Sequence, residues 1–218
     1  MHIYLFIPLL FIAYCTNGQR DTTGVFIPSG YRLLETISGD LDKDGVADKI
    51  LLVKGTDSSM IVTDETRGKI DRNRRGLVIL LRKGKQFTPV LTNLSCFASE
   101  FEDGGVYYAP ELSLYIKKGN LYAHYAHGRY GYKKFTFRFQ HGDFALIGYD
   151  HSENSGPVVN KFTSVNFAAK RMVEKINTNA NATGGDEVFK TYWETIPVKT
   201  LLKLSVITDF DEIDAAGH

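Results

Sequence analysis

Cysteine is scarce in this chain: two residues, Cys15 and Cys96, in 218. If Cys15 leaves with an N-terminal leader, Cys96 stands alone and no disulfide can form within the chain. That excludes the disulfide-stapled scaffolds of small secreted domains. Stability must then come from core burial and bound metal. Cys96, in "LSCFAS", reads as a small buried apolar residue and not as a nucleophile. An excess of one charge is missing too. Lys and Arg number 26 against 25 Asp and Glu, a net charge of +1, so no nucleic-acid or anionic-membrane partner is expected. The one dense basic stretch, "DRNRRG" (Asp71 to Gly76), reads as a solvated turn between strands.

Long hydrophobic runs are also lacking. The longest, Ile3 to Tyr14, has twelve residues, the length of a secretory signal's apolar region and too short to span a bilayer. No Lys or Arg precedes it, so its positive start rests on the amino terminus and His2. Cleavage after Gly18 satisfies the small-residue rule with Thr16 and Gly18; the competing route is lipidation of Cys15 in "IAYC", where Tyr14 is bulkier than usual. The expected organisation is a signal over residues 1–18 and one β-rich domain over 19–218. That domain has a short polar leader and no transmembrane segment. Nothing repeats at a fixed period, which argues against a propeller or solenoid built from this chain alone. Gly-x-Ser-x-Gly, a phosphate-cradling loop and HExxH are all absent, which lowers the common hydrolase readings.

What is present points to strands. There are 12 Tyr and 14 Phe, residues enriched in sheets. "YRLLETISGD" and "KILLVKG" read as two strands around a loop, and "GLVILLRKGKQFTPVL" repeats the form. "ELSLYIKKGNLYAHYAHG" predicts a hairpin with Gly119 at the turn. In "KKFTFRFQHGDFALIGYD", Phe135, Phe137 and Phe139 alternate with polar residues, so one face packs and the other meets water. "FTSVNFAAKRMVEKIN" fits either a strand or a helix, with strand preferred. "NTNANATGGDE" reads as an exposed loop. "DEVFKTYWETI" predicts a short amphipathic helix with Val188, Tyr192 and Ile196 on one face, and "LLKLSVITDF" a last strand. The expected fold is a β-rich α+β domain of antiparallel hairpins with one short C-terminal helix.

Within this pattern "SGDLDKDGVADKILLVKG" stands out. Asp40, Asp42, Asp44 and Asp48 fall within nine residues, and like charges so close repel unless a cation sits among them. Calcium takes six to eight oxygen ligands, and carboxylates at alternate positions supply them as the backbone curls. Gly45 permits the sharp bend, Val46 offers a carbonyl, and Asp48 closes the ring. The position where an EF-hand carries its bidentate Glu is Leu51, and the flanks read as strands, so the loop is EF-hand-like without the helices. The expected cofactor is a structural Ca2+.

"GDLDKDGVADKILLV" resembles the aspartate-rich loop and strand of secreted FG-GAP and VCBS-type sequences. More widely, "DRNRRG", "CFASEFEDGGVYYAPELSL", "YAHYAHGRYGYKKFTFRFQHGDFALIGYD" and "GGDEVFKTYWETI" resemble an uncharacterised family of exported Bacteroidetes proteins, over most of Phe26 to Ile196. The resemblance implies export to the periplasm or cell surface and implies no activity.

Two further clusters are candidates for a ligand platform. "SEFEDGGVYYAPE" brings Glu100, Glu102 and Asp103 beside Tyr107 and Tyr108; "YAHYAHGRYGY" holds His124, His127, Arg129 and Tyr130. Paired carboxylates suit glycoside cleavage or a second cation, whereas tyrosines with His and Arg suit a sugar or peptide, since the ring stacks while the hydroxyl bonds. Three apart on a strand, His124 and His127 point to opposite faces and do not share an ion. The function expected is a non-enzymatic, exported calcium-binding module for a protein or glycan. The alternative is a secreted hydrolase using the acidic and histidine groups.

Overall fold

The run after the aspartate loop, "DKILLVKG", shows why the first sheet is covered on both sides. It forms β2 (Asp48–Gly55), paired antiparallel with β1 (Tyr31–Gly39) so that Gly39 faces Asp48. Ile50, Leu51, Leu52 and Val53 are all buried, which a continuous apolar run achieves only with cover on both faces. The structure, a computed structural model, describes residues 22–101 and 109–213. A small hairpin of β3 (Ile61–Asp64) and β4 (Gly68–Asp71) follows, then β5 (Arg75–Lys83) and β6 (Gln86–Phe97). These complete a four-stranded antiparallel sheet in the order β1-β2-β5-β6. Its outer side carries Leu51, Val53, Val78 and Leu80 under Phe26, Ile27, Tyr31, Phe87 and Leu94.

The rest of the chain is a meander: β7 (Glu111–Lys117), β8 (Asn120–Ala126), β9 (Gly131–Gln140), β10 (Asp143–Ser155), β11 (Val158–Asn166), β12 (Arg171–Asn177) and β13 (Phe189–Thr195). Each strand pairs with the next to give one seven-stranded antiparallel sheet. The expected β7–β8 hairpin forms with a two-residue turn, φ being 53° at Lys118 and 70° at Gly119, the backbone that matches strand twist in tight hairpins. Phe135 and Phe137 are buried and Phe139 half-buried, with Arg138 exposed between them. Inward side chains of both sheets meet in one core, Ile50, Leu52, Leu77 and Ile79 from the first against Leu121, Phe135, Phe137 and Leu146 from the second.

Residues 196–213 seal the gap between the sheets. Leu146 N–H donates to the Leu202 carbonyl where β11 has ended, and Phe210 N–H donates to the Cys96 carbonyl. Asn93 Nδ2 donates to the carbonyls of Leu204 and Ile207 at 2.9 and 2.7 Å. The Phe210 ring lies 4.7 Å from Phe97, 5.1 Å from Phe135 and 5.9 Å from Phe137.

Two expectations need correction here, and a third, the strand reading of "FTSVNFAAKRMVEKIN", holds with a turn inside it. The helix predicted over "DEVFKTYWETI" is strand β13: Val188, Tyr192 and Ile196 share a strand face as well as a helix face, and only Ile196 is buried. The predicted last strand, "LLKLSVITDF", keeps one β-bridge, Ala145 with Lys203, and a 3-10 turn, Leu204–Val206. "FTSVNFAAKRMVEKIN" is two strands, turned at residues 167–170 with Lys170 at φ 54°. Among the described residues, helical structure is confined to 3-10 turns, so the fold is mainly β.

Candidate metal centre

The aspartate loop joins β1 to β2, and its own amides fold its carboxylates inward. Asp44 N–H lies between Asp40 Oδ1 at 3.1 Å and Asp42 Oδ1 at 3.3 Å, and Gly45 N–H donates to Asp40 Oδ2 at 3.1 Å. The curl that makes this possible uses positive φ at Lys43, 65°, and Gly45, 84°. Asp48 is fully buried. It accepts from Leu41 N–H at 2.7 Å and from Arg82 N–H, on β5, at 2.9 Å, so it ties loop to sheet. Burial raises its carboxyl above the ordinary carboxylate value against the pull of those two amides.

Asp40, Asp42 and Asp48 each bring a carboxylate oxygen within 4.8 Å of the others. Around an ion with oxygen bonds of roughly 2.3–2.6 Å, ligand oxygens sit from about 3.3 to about 5 Å apart, so the three fit one shell. All donors are hard oxygens, the set suited to Ca2+, Mg2+ or Mn2+. The group can hold a metal ion. Asp44 lies outside it, exposed, with Oδ1 accepting from Val46 N–H at 2.8 Å. Lys83 Nζ approaches Asp42 Oδ2 at 3.5 Å, but its side chain is 68% exposed and offers weak compensation.

The loop also touches the second sheet. A Cβ on Gly39 would meet Ile116 of β7 at 2.8 Å, and one on Gly119 would meet the Lys43 side chain at 2.5 Å. An ion at this group would lie beside the place where the two sheets meet.

The other candidate residues occupy separate places. Glu102, Asp103, Tyr107 and Tyr108 lie outside the described residues. Glu100 is the counter-ion of Lys54, whose fully buried Nζ lies 2.8 Å from Glu100 Oε1, 3.3 Å from Asp71 Oδ2 and 5.5 Å from the centre of the Phe101 ring. Arg75 Nε approaches Glu100 Oε2 at 3.8 Å. Asn73 and Arg75 are both buried, so "DRNRRG" is not the solvated turn expected of it. In sequence, Lys54 reads as the polar end of a strand, and no pattern signals its burial.

His124, on β8, lies on the outward face of the seven-stranded sheet with Tyr132 of β9 at 5.3 Å. Burial, and after it Lys134, holds its pKa below the ordinary histidine value. On the same face Tyr115 and Tyr122 stack at 4.8 Å, and Lys134 bonds Asp150 at 2.8 Å. His127, Arg129 and Tyr130 sit instead at the β8–β9 connection, where Arg129 donates to the Tyr130 hydroxyl at 3.0 Å. Cys96 is buried and its thiol pushed up to about 12, so it stays protonated and unreactive.

No protein-family model matches this chain, and no curated protein matches it. Among the described residues no helix is long and apolar enough to cross a membrane.

Proposed function

We propose that the chain is an exported, non-catalytic binding module, braced by one structural Ca2+ in its FG-GAP- and VCBS-like loop. The observation that carries this reading is the convergence of Asp40, Asp42 and Asp48 within 4.8 Å on a loop that touches both sheets. Calcium is favoured over magnesium because the centre is built largely of carboxylates, whereas magnesium keeps most of its waters. A dissociation constant a hundredfold below the ambient calcium concentration stabilises the fold by roughly 2.7 kcal/mol. In thermal melts, Asp42→Ala should lower the midpoint with calcium present and change it little in chelator; an equal loss in both would dismiss the ion.

The ligand is an extracellular protein or glycan, taken by the outward face around Tyr115, Tyr122, His124 and Tyr132. Its stacked tyrosines and the Lys134–Asp150 pair offer both a ring surface and hydrogen-bonding groups. Screened against arrayed glycans and secreted proteins, the wild type should retain a ligand that Tyr122→Ala loses by about tenfold or more in Kd. Retention at full strength by the variant would move the site elsewhere. The hydrolase reading is the weaker one, because Lys54 commits Glu100 to an internal ion pair.

A further inference from the structure

The seven-stranded sheet ends on β13, an edge that, among the described residues, lacks the proline, bulge and strand cover seen at the others. β6 carries Pro89 and pairs irregularly with β5; β1 is bulged between Leu33 and Glu35 and lies against β7. β13 instead pairs with β12 in unbroken register, Arg171 opposite Thr195 through Asn177 opposite Phe189, with no proline or glycine. All of its residues are exposed, Trp193 by 65%. An edge strand with an unbroken row of outward peptide groups is a template for another strand, and its charged residues then decide which strand it accepts.

Two hydrogen bonds show which peptide groups are free. Ile196 N–H donates to the Lys170 carbonyl, and Thr178 N–H donates to the Val188 carbonyl. Even-numbered residues of β13 thus turn their peptide groups towards β12. By the alternation of an antiparallel ladder, Phe189, Thr191, Trp193 and Thr195 turn theirs outward.

The strand sequence, "FKTYWET", is complementary to itself. Antiparallel about Tyr192, Lys190 of each copy faces Glu194 of the other, and Tyr192 faces its own copy. Thr191 then faces Trp193, and Phe189 faces Thr195. Every outward-turned residue meets an outward-turned residue, so the ladder closes without a shift. An axis at Lys190 or Glu194 would oppose like charges. One at Thr191 or Trp193 would leave both ions without a partner on the opposing strand.

We propose that β13 joins two copies of this chain about a two-fold axis at Tyr192, making one continuous sheet across the dimer. Such a contact is isologous and closes on itself, leaving no free β13 edge.

Sedimentation velocity of the purified protein over a concentration series tests this. A monomer–dimer equilibrium is expected. Thr191→Pro removes an N–H aimed only at the partner, so it should weaken the dimer by about tenfold or more while leaving circular dichroism and the monomer's melting midpoint in place. Lys190→Glu should weaken it too, and adding Glu194→Lys should restore it. A monomer at every concentration, open-ended fibres, a dimer indifferent to Thr191→Pro, or a double variant no tighter than Lys190→Glu would each overturn the proposal.

Discussion

Phe210→Ala is expected to cost about 3–5 kcal/mol of folding stability, the range for truncating a buried aromatic. Phe210 is 2% exposed, and its ring touches those of Phe97, Tyr125, Phe135 and Phe137. The first of these lies on β6 and the others on β8 and β9, so one ring fills the space between both sheets. Loss of the six ring carbons leaves a cavity that residues from two rigid sheets cannot collapse into. Urea denaturation should show a lower midpoint with little change in slope. Val206→Ala, in the same segment but 62% exposed, is the control and should stay within about 0.5 kcal/mol. A Phe210 variant as stable as that control would mean that residues 196–213 lie outside the cooperative core.

The second large effect is an asymmetry at the Lys54–Glu100 pair. Both partners belong to one bond, yet their surroundings differ: the Lys54 side chain has no exposure, that of Glu100 has 37%. Glu100→Gln strands a buried ammonium with only Asp71 to answer it. The expected loss is about 3 kcal/mol, the low end for a broken buried pair. Lys54→Met removes the buried charge, keeps an apolar stem of similar length, and leaves Glu100 able to hydrate. Its expected loss is less than about 1.5 kcal/mol. Chemical denaturation of the two single variants decides the matter. Equal losses, or a larger one for Lys54→Met, would show that the ammonium reaches water when its partner is gone.

Much of the architecture can be read from the chain because a strand's period is short. Alternation in "KKFTFRFQ" and the "KKGN" turn are local signals, and nothing distant overrides them. The aspartate loop is equally legible: spacing and Gly45 alone predict the curl that brings Asp40 and Asp42 together. Spacing does not reveal that Asp44 turns outward to serve the Val46 amide, since that follows from the path of the backbone through Lys43 and Gly45.

The misreadings have a shared cause. In "DEVFKTYWETI" a four-residue spacing satisfies both periods, and pairing with β12 decided between them. In "LLKLSVITDF" Leu204, Ile207 and Phe210 are buried at every third position while Leu202 and Val206 are exposed, and most backbone partners come from outside any ladder, including the Asn93 side chain. Lys54 could not be recognised for a similar reason: its partners are 17 and 46 positions away. Long-range pairing, rather than local preference, settles each of these places.

The position of Phe210 has a consequence for the order of events during synthesis. The strands of both sheets end by Thr195, so the ring at position 210 is the last aromatic of the shared core to be made. Severing the chain just ahead of this ring would therefore leave the two sheets without the side chain that fills the space between them.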